Sequence, residues 1–385
     1  MKKLKIINAV YGDATGGRWQ AMLDIANTLK SFGHEVVLLR GTENQHLKSG
    51  EWPITVIPNK GFYSVTAALK IRKFIEQQKP DVIIAHSGKA VWLFKNAMLG
   101  MSKKIPVIAV NHSHNVKRTL RADAFIHITP YVQELVQKRQ TPEERATKPQ
   151  QVISNLTYLP KVTAEPCLIK QPPNIVMLTR MVPNKGVHVL IDALAILNNK
   201  GLPFHAVLAG QGEMLEQCKA QAQRLGLADK VEFPGWIGGE DKIALLQNAD
   251  IVALPSITEI QGIGILDAFA WGKTLITTDH IGIRQTAKHG VNAWCAKADD
   301  AQSLANGIEY LIQHPDEALK FAQQGKKEAL EKYFDGKKAM CWISDRNIAS
   351  QKLYESLGFI KSKSKLKDPE DNEMGTFWFK EVKEK

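Results

Sequence analysis

The sequence predicts an α/β fold with two doubly wound parallel sheets, followed by a short α+β tail. Short apolar runs, loops and longer amphipathic segments alternate along most of the chain, which is typical of alternating strands and helices. A length of 385 residues suits two domains better than one. A proline-bearing segment without hydrophobic period, residues 161–173, divides the chain. We therefore expect domains at residues 1–160 and 174–338, and a tail at 339–385.

Composition and charge narrow the class of protein. Apolar residues make up 44% of the chain and charged residues 23%, as in soluble globular proteins, and the formal charge is +12. That charge favours anionic partners such as nucleotide sugars or phospholipid surfaces, and no nucleic-acid motif accompanies it. The chain has neither a signal-peptide apolar region nor an apolar run of about 18 residues, the length that spans a membrane. Four scattered cysteines without metal-type spacing predict reduced thiols in a cytoplasmic protein.

The amino-terminal half predicts six strands and four helices. The strands are expected at 4–10, 35–39, 54–57, 81–85, 106–110 and 124–128, and the helices at 18–29, 67–77, 91–99 and 131–138. Gly16 and Gly17 lie in the first strand-to-helix turn, where a phosphate can approach the backbone closely. His86 and His112 follow the fourth and fifth strands. Because carboxyl ends of parallel strands share one edge of a sheet, both histidines are expected on that edge.

The carboxyl half predicts a second sheet with an anion site at its edge. Strands are expected at 174–178, 205–209, 230–233, 251–254 and 275–276, and helices at 187–197, 214–225, 262–271, 301–312 and 315–333. Arg180 and Lys185 come just before the first of these helices. Two cations and the free amides of a helix start can converge on one anion. The alternative to an anion site is that Arg180 and Lys185 are two solvated surface cations.

The loop after the strand Ile251–Leu254 carries the strongest functional signal in the chain. Glu259 lies at its tip, and Gly262 and Ile263 offer backbone amides where the next helix begins. Asp267 follows eight residues after Glu259. The loop lies at the carboxyl end of a strand, where open α/β sheets bind ligands. It therefore offers a carboxylate for hydroxyl groups and amides for a phosphate.

This stretch resembles the Glu-x7-Glu signature of retaining GT-B glycosyltransferases, particularly family 4. In this chain Asp267 stands at the second glutamate, and Ile260 and Gln261 replace the family's Pro-Phe. Other segments in the same order also resemble the family, including the Arg180-x4-Lys185-Gly186 run. The resemblance covers residues 1 to about 338 and implies a GT-B fold, with two Rossmann-like domains facing a cleft.

The resemblance also implies roles for individual residues. Arg180 and Lys185 would clamp the donor diphosphate, Glu259 would hold hydroxyls of the sugar, and Asp267 would hold the ribose. His112 matches the family histidine beside the transferred sugar, and His86 matches its Asp-Val-x-x-x-His-Ser motif. The remaining substrate-binding candidates are Gly16 and Gly17, facing the donor phosphates, Gly212 in the turn after the second strand of this half, Gly262 and Ile263 at a helix start, and Ile237 beside the nucleobase.

The predicted reaction is transfer of a sugar from a nucleotide diphosphate sugar to the hydroxyl of a glycan or lipid-linked acceptor, with retention. Neither a metal nor another cofactor is expected. The family suggests bacterial surface glycan or lipopolysaccharide assembly, with the protein in the cytoplasm and peripherally on the inner membrane. A basic face could supply that membrane contact through Lys70, Arg72, Lys73, Lys95, Lys103 and Lys104. The alternatives are a nucleotide-sugar epimerase, a non-catalytic remnant, and a metal site at His86, His112 and His114.

The last 45 or so residues carry a different signature. The segment from Cys341 to Phe359, with Asn347 and Tyr354, resembles the closing motif of GNAT acetyltransferases. The pyrophosphate loop of that superfamily does not precede it. We therefore expect a fused fragment, a helix with strands, that lacks acetyltransferase activity.

Overall fold

The chain forms two compact units in a computed structural model. The structure describes residues 3–12, 17–42, 52–155, 165–332, 338–344, 360–367 and 374–381, and from residue 330 onward the backbone alone. The amino-terminal unit comprises Met1–Asn155 together with Glu259–Gly262 and Ile281–Gln285. The carboxyl-terminal unit comprises Leu156–Thr258, Ile263–His280 and Thr286–Lys385. Two short segments of the carboxyl half thus belong to the amino-terminal unit.

A seven-stranded parallel sheet forms the centre of the amino-terminal unit. Its strands are β1 (Lys5–Val10), β2 (Glu35–Arg40), β3 (Ile54–Val56), β4 (Val82–Ala85), β5 (Val107–Asn111), β6 (Ala124–His127) and β7 (Gln150–Val152). They are ordered β3-β2-β1-β4-β5-β6-β7, and every pairing is parallel. The order reverses between β1 and β4. In doubly wound sheets this reversal opens the crevice where ligands bind.

Five helices connect these strands: α1 (Gly17–Ser31), α2 (Val65–Gln78), α3 (Gly88–Ala97), α4 (Pro130–Gln137) and α5 (Pro142–Thr147). Four of them begin at a serine or threonine whose hydroxyl accepts an amide of the first turn. Ser87 is the cap of α3, so α3 begins at Gly88, three residues before the predicted start. Strand residues buried on both faces, such as Ile6 and Ile7 of β1, form the core with these helices.

The carboxyl-terminal unit contains a six-stranded parallel sheet. Its strands are β8 (Asn174–Leu178), β9 (His205–Ala209), β10 (Val231–Glu232), β11 (Ile251–Leu254), β12 (Thr274–Thr278) and β13 (Trp294–Ala296), in the order β10-β9-β8-β11-β12-β13. Its helices are α6 (Val187–Asn199), α7 (Leu215–Arg224), α8 (Glu240–Asn248), α9 (Ile263–Ala270), α10 (Ala301–Gln313) and α11 (Pro315–Lys332). The order reverses between β8 and β11, so this sheet is also doubly wound.

The predicted fold class is confirmed, and four elements were missed. The prediction had no helix at α5 or α8, and no strand at β13. It gave only a short apolar pair where β7 lies. The α5 sequence PEERAT buries no side chain and α8 buries only Leu246, so neither shows the apolar periodicity that marks a helix. β7 and β13 are three-residue edge strands.

The tail contributes a third, separate sheet. Strands β14 (Lys338–Ser344), β15 (Ile360–Lys367) and β16 (Met374–Glu381) pair antiparallel in the order β14-β16-β15. Asn347 and Tyr354, which carry the resemblance to GNAT acetyltransferases, lie outside the described residues. That resemblance therefore stays a prediction. In the described parts of the chain, no helix is long and apolar enough to cross a membrane.

Candidate active site

Four loops at the carboxyl ends of the second sheet are joined by backbone hydrogen bonds. The amide of Gly210, after β9, donates to the carbonyl of Gly235, after β10, at 2.7 Å. The amide of Met181, after β8, donates to the carbonyl of Gln211 at 2.8 Å. We call the loops 179–186, 210–214, 233–239 and 255–258 the carboxyl-end rim. Because ligands of open α/β sheets bind at this end, the rim is the candidate site of this unit.

The loop 255–258, which follows β11, contacts the rest of the rim at Asn184. The amide of Ile257 donates to the Asn184 carbonyl at 2.9 Å. The Thr278 hydroxyl, at the end of β12, donates to the carbonyl of Ser256 at 2.6 Å. The loop after β11 is therefore held on both sides, by the loop after β8 and by the neighbouring strand. These two contacts fix the position of its backbone.

Two glycines hold the backbone on either side of Arg180. A Cβ atom at Gly210 would lie 1.7 Å from the carbonyl oxygen of Thr179, and one at Gly212 would lie 2.2 Å from that of Met181. Both glycines also have positive φ, at +150° and +156°. Only glycine fits such close backbone contact. Gly212, predicted to bind substrate, thus lies against the segment that presents Arg180.

Lys185 lies directly before the start of α6, as predicted. It ends a 3-10 turn at Pro183–Lys185, and Gly186 then adopts φ +67° as the N-cap of α6. No side chain among the described residues caps this helix start. The first amides of a helix have no partner within the helix, so they can bind an anion together with the lysine. A Cβ at Gly186 would lie 2.1 Å from the Pro255 carbonyl oxygen, which ties this helix start to the loop after β11.

Asp267 is buried in α9 and paired with a residue that sequence reasoning missed. Lys242 of α8 donates from Nζ to Asp267 Oδ2 at 2.7 Å. Asp267 is therefore held in an ion pair across two helices. Helix α9 begins at Ile263, so Gly262 and Ile263 lie at the helix start as predicted. Both residues are half-buried.

The loop after β10 carries the predicted nucleobase contact. Ile237 is half-buried, and Trp236 is 48% exposed. A Cβ at Gly238 would lie 2.6 Å from the Trp236 ring, so the indole covers this glycine. The Trp236 ring therefore packs over its own loop. Ile237 lies in the same loop of the carboxyl-end rim.

The segment Glu259–Gly262 packs in the amino-terminal unit, although its neighbours in sequence belong to the carboxyl-terminal unit. Ile260 is buried in the amino-terminal core, and Gln261 Oε1 accepts the amide of Asn155 at 3.1 Å. Glu259 is half-buried, and its Oε1 accepts the amide of Ile260 at 2.9 Å. A Cβ at Gly282 would lie 2.0 Å from the Glu259 carbonyl oxygen. Ile260 and Gln261, which depart from the family pattern, thus position Glu259.

His86 and His112 meet in the amino-terminal unit, at the strand edge where they were predicted. His86 Nδ1 lies 3.1 Å from His112 Nε2, and His86 Nε2 lies 2.8 Å from Asn8 Oδ1. Asn8 Nδ2 donates to the carbonyl of Met22 at 2.8 Å. A carbonyl can only accept, so the amide nitrogen of Asn8 must face Met22 and its oxygen must face His86.

This chain of contacts fixes the protons on both rings. His86 Nε2–H donates to Asn8, so in the neutral ring Nδ1 of His86 accepts from His112 Nε2–H. The Nδ1 atom of His112 is then left as a hydrogen-bond acceptor. His86 and His112 both line a cavity of about 260 Å³, and His86 is the more deeply buried of the two. His112 can therefore accept a hydrogen bond from a hydroxyl group through Nδ1, whereas both ring nitrogens of His86 are already engaged.

Burial and a nearby cation keep the pair neutral. Burial first, and then the positive charge of Arg18, lower the pKa of His112 to about 3. Burial also lowers the pKa of His86 well below its usual value, with smaller contributions from His112 and Arg18. Neither imidazole carries a charge near neutral pH. Gly17 begins α1 directly before Arg18, and Gly16 lies outside the described residues.

Comparison with protein families accounts for both units. Residues 15–148 match the family model Glycosyltransferase Family 4, and residues 164–328 match the model Glycosyl transferases group 1. The chain contains two glycosyltransferase domains, and the tail lies outside both matches. The Arg180, Lys185, Glu259 and Asp267 positions all lie within the group 1 match.

Curated relatives of this glycosyltransferase include two enzymes named for polysaccharide synthesis. The amylovoran biosynthesis glycosyltransferase AmsK of Erwinia amylovora is 32% identical over 143 residues, which is 36% of this chain and 35% of AmsK. The lipopolysaccharide core biosynthesis glycosyltransferase LpsE of Rhizobium meliloti (strain 1021) is 26% identical over 261 residues, 67% of this chain and 73% of LpsE. The chain thus aligns with about a third of AmsK.

Two solved structures share the fold. Anabaena Alr3699/HepE in complex with UDP-glucose has a TM-score of 0.72 and 22% identity, and the alignment covers 92% of this chain and 99% of that one. A glycosyltransferase from Rickettsia africae ESF-5 has a TM-score of 0.70 and 19% identity, covering 86% of this chain and 95% of that one. At these identities the likeness extends to the GT-B fold.

Sequence reasoning missed three polar residues of this glycosyltransferase that support the candidate residues: Asn8, Arg18 and Lys242. Asn8 had a detectable signal, since it is a polar residue within the apolar run of β1. Arg18 and Lys242 gave none, because their roles depend on contacts across the fold. Among the described residues no group of three or more His, Cys, Asp or Glu side chains could hold a metal ion, so His86, His112 and His114 do not form the metal site considered above.

Proposed function

We propose that this glycosyltransferase moves a sugar from a nucleotide diphosphate sugar to an acceptor hydroxyl, with retention at the anomeric carbon. The observation that carries the proposal is the loop from Arg180 to Gly186. It is braced by Gly210 and Gly212, and it ends at the uncapped start of α6. Two cations and free helix amides on one braced loop suit a diphosphate.

The first proposed role is stabilisation of the leaving group. When the bond between sugar and diphosphate breaks, negative charge grows on the departing oxygen. Arg180, Lys185 and the first amides of α6 are donors whose backbone is already fixed, so they would stabilise that charge without reorganising. These cations supply the charge that a divalent metal supplies elsewhere, and we therefore propose that the reaction is independent of metal.

The remaining donor contacts follow from the other loops of the site. Glu259 would accept hydrogen bonds from hydroxyls of the transferred sugar, with Ile260 and Gln261 holding its backbone. The Asp267–Lys242 pair would bind the ribose, with Asp267 as acceptor. The backbone at Ile237 would face the nucleobase, and Gly212, Gly262 and Ile263 would let phosphate or ribose approach the backbone closely. We assign no covalent nucleophile.

His112 is proposed to bind a hydroxyl of the sugar through its Nδ1 atom. Because the Asn8–His86 relay fixes the other ring nitrogen as a donor to His86, Nδ1 can only accept in the neutral ring. A hydroxyl can donate to it, and a second acceptor cannot. His86 is then a positioning residue instead of a substrate contact. Gly16 and Gly17 would face the donor phosphates.

The pathway is proposed from the relatives. AmsK is named for amylovoran biosynthesis and LpsE for lipopolysaccharide core biosynthesis. Assembly of a bacterial surface polysaccharide is therefore the proposed setting, with a glycan or lipid-linked acceptor. The HepE structure contains UDP-glucose, so UDP-sugars are the first donors to test. We further propose that the protein acts in the cytoplasm, peripherally on the inner membrane.

Calorimetric titration with UDP-, GDP- and ADP-sugars tests the donor site. One nucleotide class should bind, and Arg180→Ala should weaken it by about 1.5–3 kcal/mol, the range for a hydrogen bond to a charged group. Arg224→Ala is the matched control, because Arg224 is an exposed arginine at the end of α7. Equal affinities in the two variants would remove Arg180 from the donor site.

Turnover tests the leaving-group role. Lys185→Ala should lower kcat about ten- to a hundredfold, because the interaction strengthens as charge develops. An unchanged kcat would show that Lys185 takes no part in the chemical step. Conversion of the free nucleotide sugar without any acceptor would instead identify an epimerase.

A further inference from the structure

The cavity beside His112 is strongly cationic. It lies at the carboxyl ends of β1, β4 and β5, and the lining described by the structure includes Arg18, Lys89 and Arg118 but no Asp or Glu. Three cations around one cavity without an acidic lining residue concentrate positive potential there. A ligand made only of hydroxyl groups does not need such a field. The cavity therefore favours an anionic ligand.

Arg118 and Lys89 are arranged around one aromatic ring. The Arg118 guanidinium carbon lies 4.2 Å from the centroid of Phe62, and Lys89 Nζ lies 5.5 Å from the same centroid. Stacking uses the face of the guanidinium and leaves its N–H edge able to bind oxygen atoms. Neither cation is in an ion pair within the part of the chain that the structure describes. Both are thus held in place with their charge uncompensated.

The start of α3 adds backbone donors to the same place. A Cβ at Gly88 would lie 2.5 Å from the Cβ of Arg118, so glycine allows the two segments to touch. The Ser87 hydroxyl accepts the amide of Ala90 and leaves the earlier amides of the helix, at Gly88 and Lys89, without an intrahelical partner. Amides at a helix start favour phosphate. Side chains and backbone here select the same type of ligand.

The donor diphosphate already has cations of its own in the proposed function, at Arg180 and Lys185 of the carboxyl-terminal unit. The cavity cations are therefore available for the other substrate. We propose that the acceptor carries a phosphate group, and that Arg118, Lys89 and the start of α3 bind it. This inference rests on the proposed glycosyl transfer, because it names the class of acceptor for that reaction.

Exposed apolar side chains that follow Phe62 in the chain indicate where such an acceptor can come from. Tyr63 follows Phe62 in the chain and is 73% exposed, while Val65 and Leu69 on α2 are 69% and 61% exposed. Val65 and Leu69 are four residues apart, so they lie on one face of the helix. A lipid phosphate would place its headgroup on the cations and its chain along this face. A soluble sugar phosphate would use the cations alone.

The test compares two arginines that each stack on an aromatic ring at the same distance. Arg121 stacks on Trp92 at 4.2 Å, the distance that Arg118 has from Phe62, but Arg121 does not line the cavity. Glycerol 3-phosphate and vesicles of phosphatidylcholine with a minor fraction of phosphatidic acid serve as probes. Arg118→Gln should weaken binding about tenfold, as expected for loss of one charge-assisted contact. Arg121→Gln should leave it unchanged.

Each outcome decides the proposal. Binding of both probes that depends on Arg118 supports recognition of the phosphate itself, and binding of the vesicles alone supports a lipid phosphate. No phosphate binding by the natural chain, or equal loss in both variants, would overturn the proposal. A UDP titration of the same variants separates it from the proposed function. If Arg118→Gln weakens UDP as much as phosphate, the cavity binds the donor, and if no nucleotide binds at all, the glycosyl transfer itself fails.

Discussion

His86 Nδ1 lies 3.1 Å from His112 Nε2, and the direction of that hydrogen bond is set by an asparagine on the far side of His86. Asn8 must turn its oxygen toward His86, because its nitrogen is used by the Met22 carbonyl. Asn8, which is buried in β1, therefore determines which ring nitrogen of His112 remains a hydrogen-bond acceptor. The effect passes through two hydrogen bonds.

Replacing Asn8 by Asp should raise the pKa of both histidines. The carboxylate would lie beside His86 Nε2, and an opposite charge favours the imidazolium form. NMR titration of the histidine rings measures this directly. In the natural chain neither ring should titrate near its usual pH of about 6.5, and in Asn8→Asp both midpoints should move upward toward it. Asn8→Ala, which adds no charge, is the control. Unchanged midpoints in Asn8→Asp would show that Asn8 does not act on the pair.

Acid should destabilise the folded protein through these histidines. In the unfolded chain an imidazole titrates near about 6.5, whereas in the folded chain the pKa of His112 is about 3. Between these values the unfolded chain binds more protons, so the free energy of unfolding falls as pH falls through this window. Above it the stabilisation is complete. Denaturant unfolding at several pH values should therefore show a shallower acid dependence for His112→Gln than for the natural chain. Equal slopes would contradict this.

Gly186→Ala should lower the free energy of unfolding by more than the strain of its positive φ angle alone. Its Cβ would lie 2.1 Å from the Pro255 carbonyl oxygen, and its φ is +67°. We expect a loss of about 2–5 kcal/mol, the sum of left-handed strain and overpacking. Gly201 has φ +73°, but a Cβ added there would meet no neighbouring atom within 4 Å, so Gly201→Ala should cost only about 1–2 kcal/mol. Chemical denaturation of both variants measures the difference, and equal losses would show that Pro255 yields.

Lys242→Met should destabilise the carboxyl-terminal unit by about 1–2 kcal/mol, because it removes a charge-assisted hydrogen bond from the buried Asp267 carboxylate. Lys219→Met is the matched control. Lys219 pairs with Glu216 at 2.9 Å, similar to the 2.7 Å of the Lys242 pair, but on the surface. Its loss should change stability by no more than about 0.5 kcal/mol. Similar effects of the two variants in denaturant unfolding would show that burial of Asp267 does not strengthen its ion pair.

Much of the fold could be predicted from the sequence because its strands are short and buried on both faces. β8, β9 and β11 were predicted to the residue, since each is an apolar run bounded by a polar, glycine or proline residue. The helix α8 was missed because its sequence EDKIALLQN buries one side chain and has little apolar periodicity. The sequence analysis therefore also missed Lys242, which lies on α8 and pairs with Asp267.

The candidate residues could be found from local motifs, but their surroundings could not. Arg180 and Lys185 precede a helix in the sequence, and the structure keeps them there. The pairing of Asp267 with Lys242 joins positions 25 apart, and the contact of Asn8 with His86 joins positions 78 apart. Pairs of this kind depend on how the sheet is ordered, which the local pattern does not contain. Ile260 gave no signal that it belongs to the amino-terminal core.

The membership of Ile260 in the amino-terminal core has a consequence for protein engineering. Exchange of donor halves between related glycosyltransferases is most simply planned as a cut at the linker. Here such a cut would remove Glu259–Gly262 and Ile281–Gln285 from the unit in which they pack. A hybrid would fill the place of Ile260 with a foreign side chain. Successful hybrids should therefore keep both segments with the amino-terminal parent, so that compatibility is inherited through two short stretches that a linear map assigns to the other half.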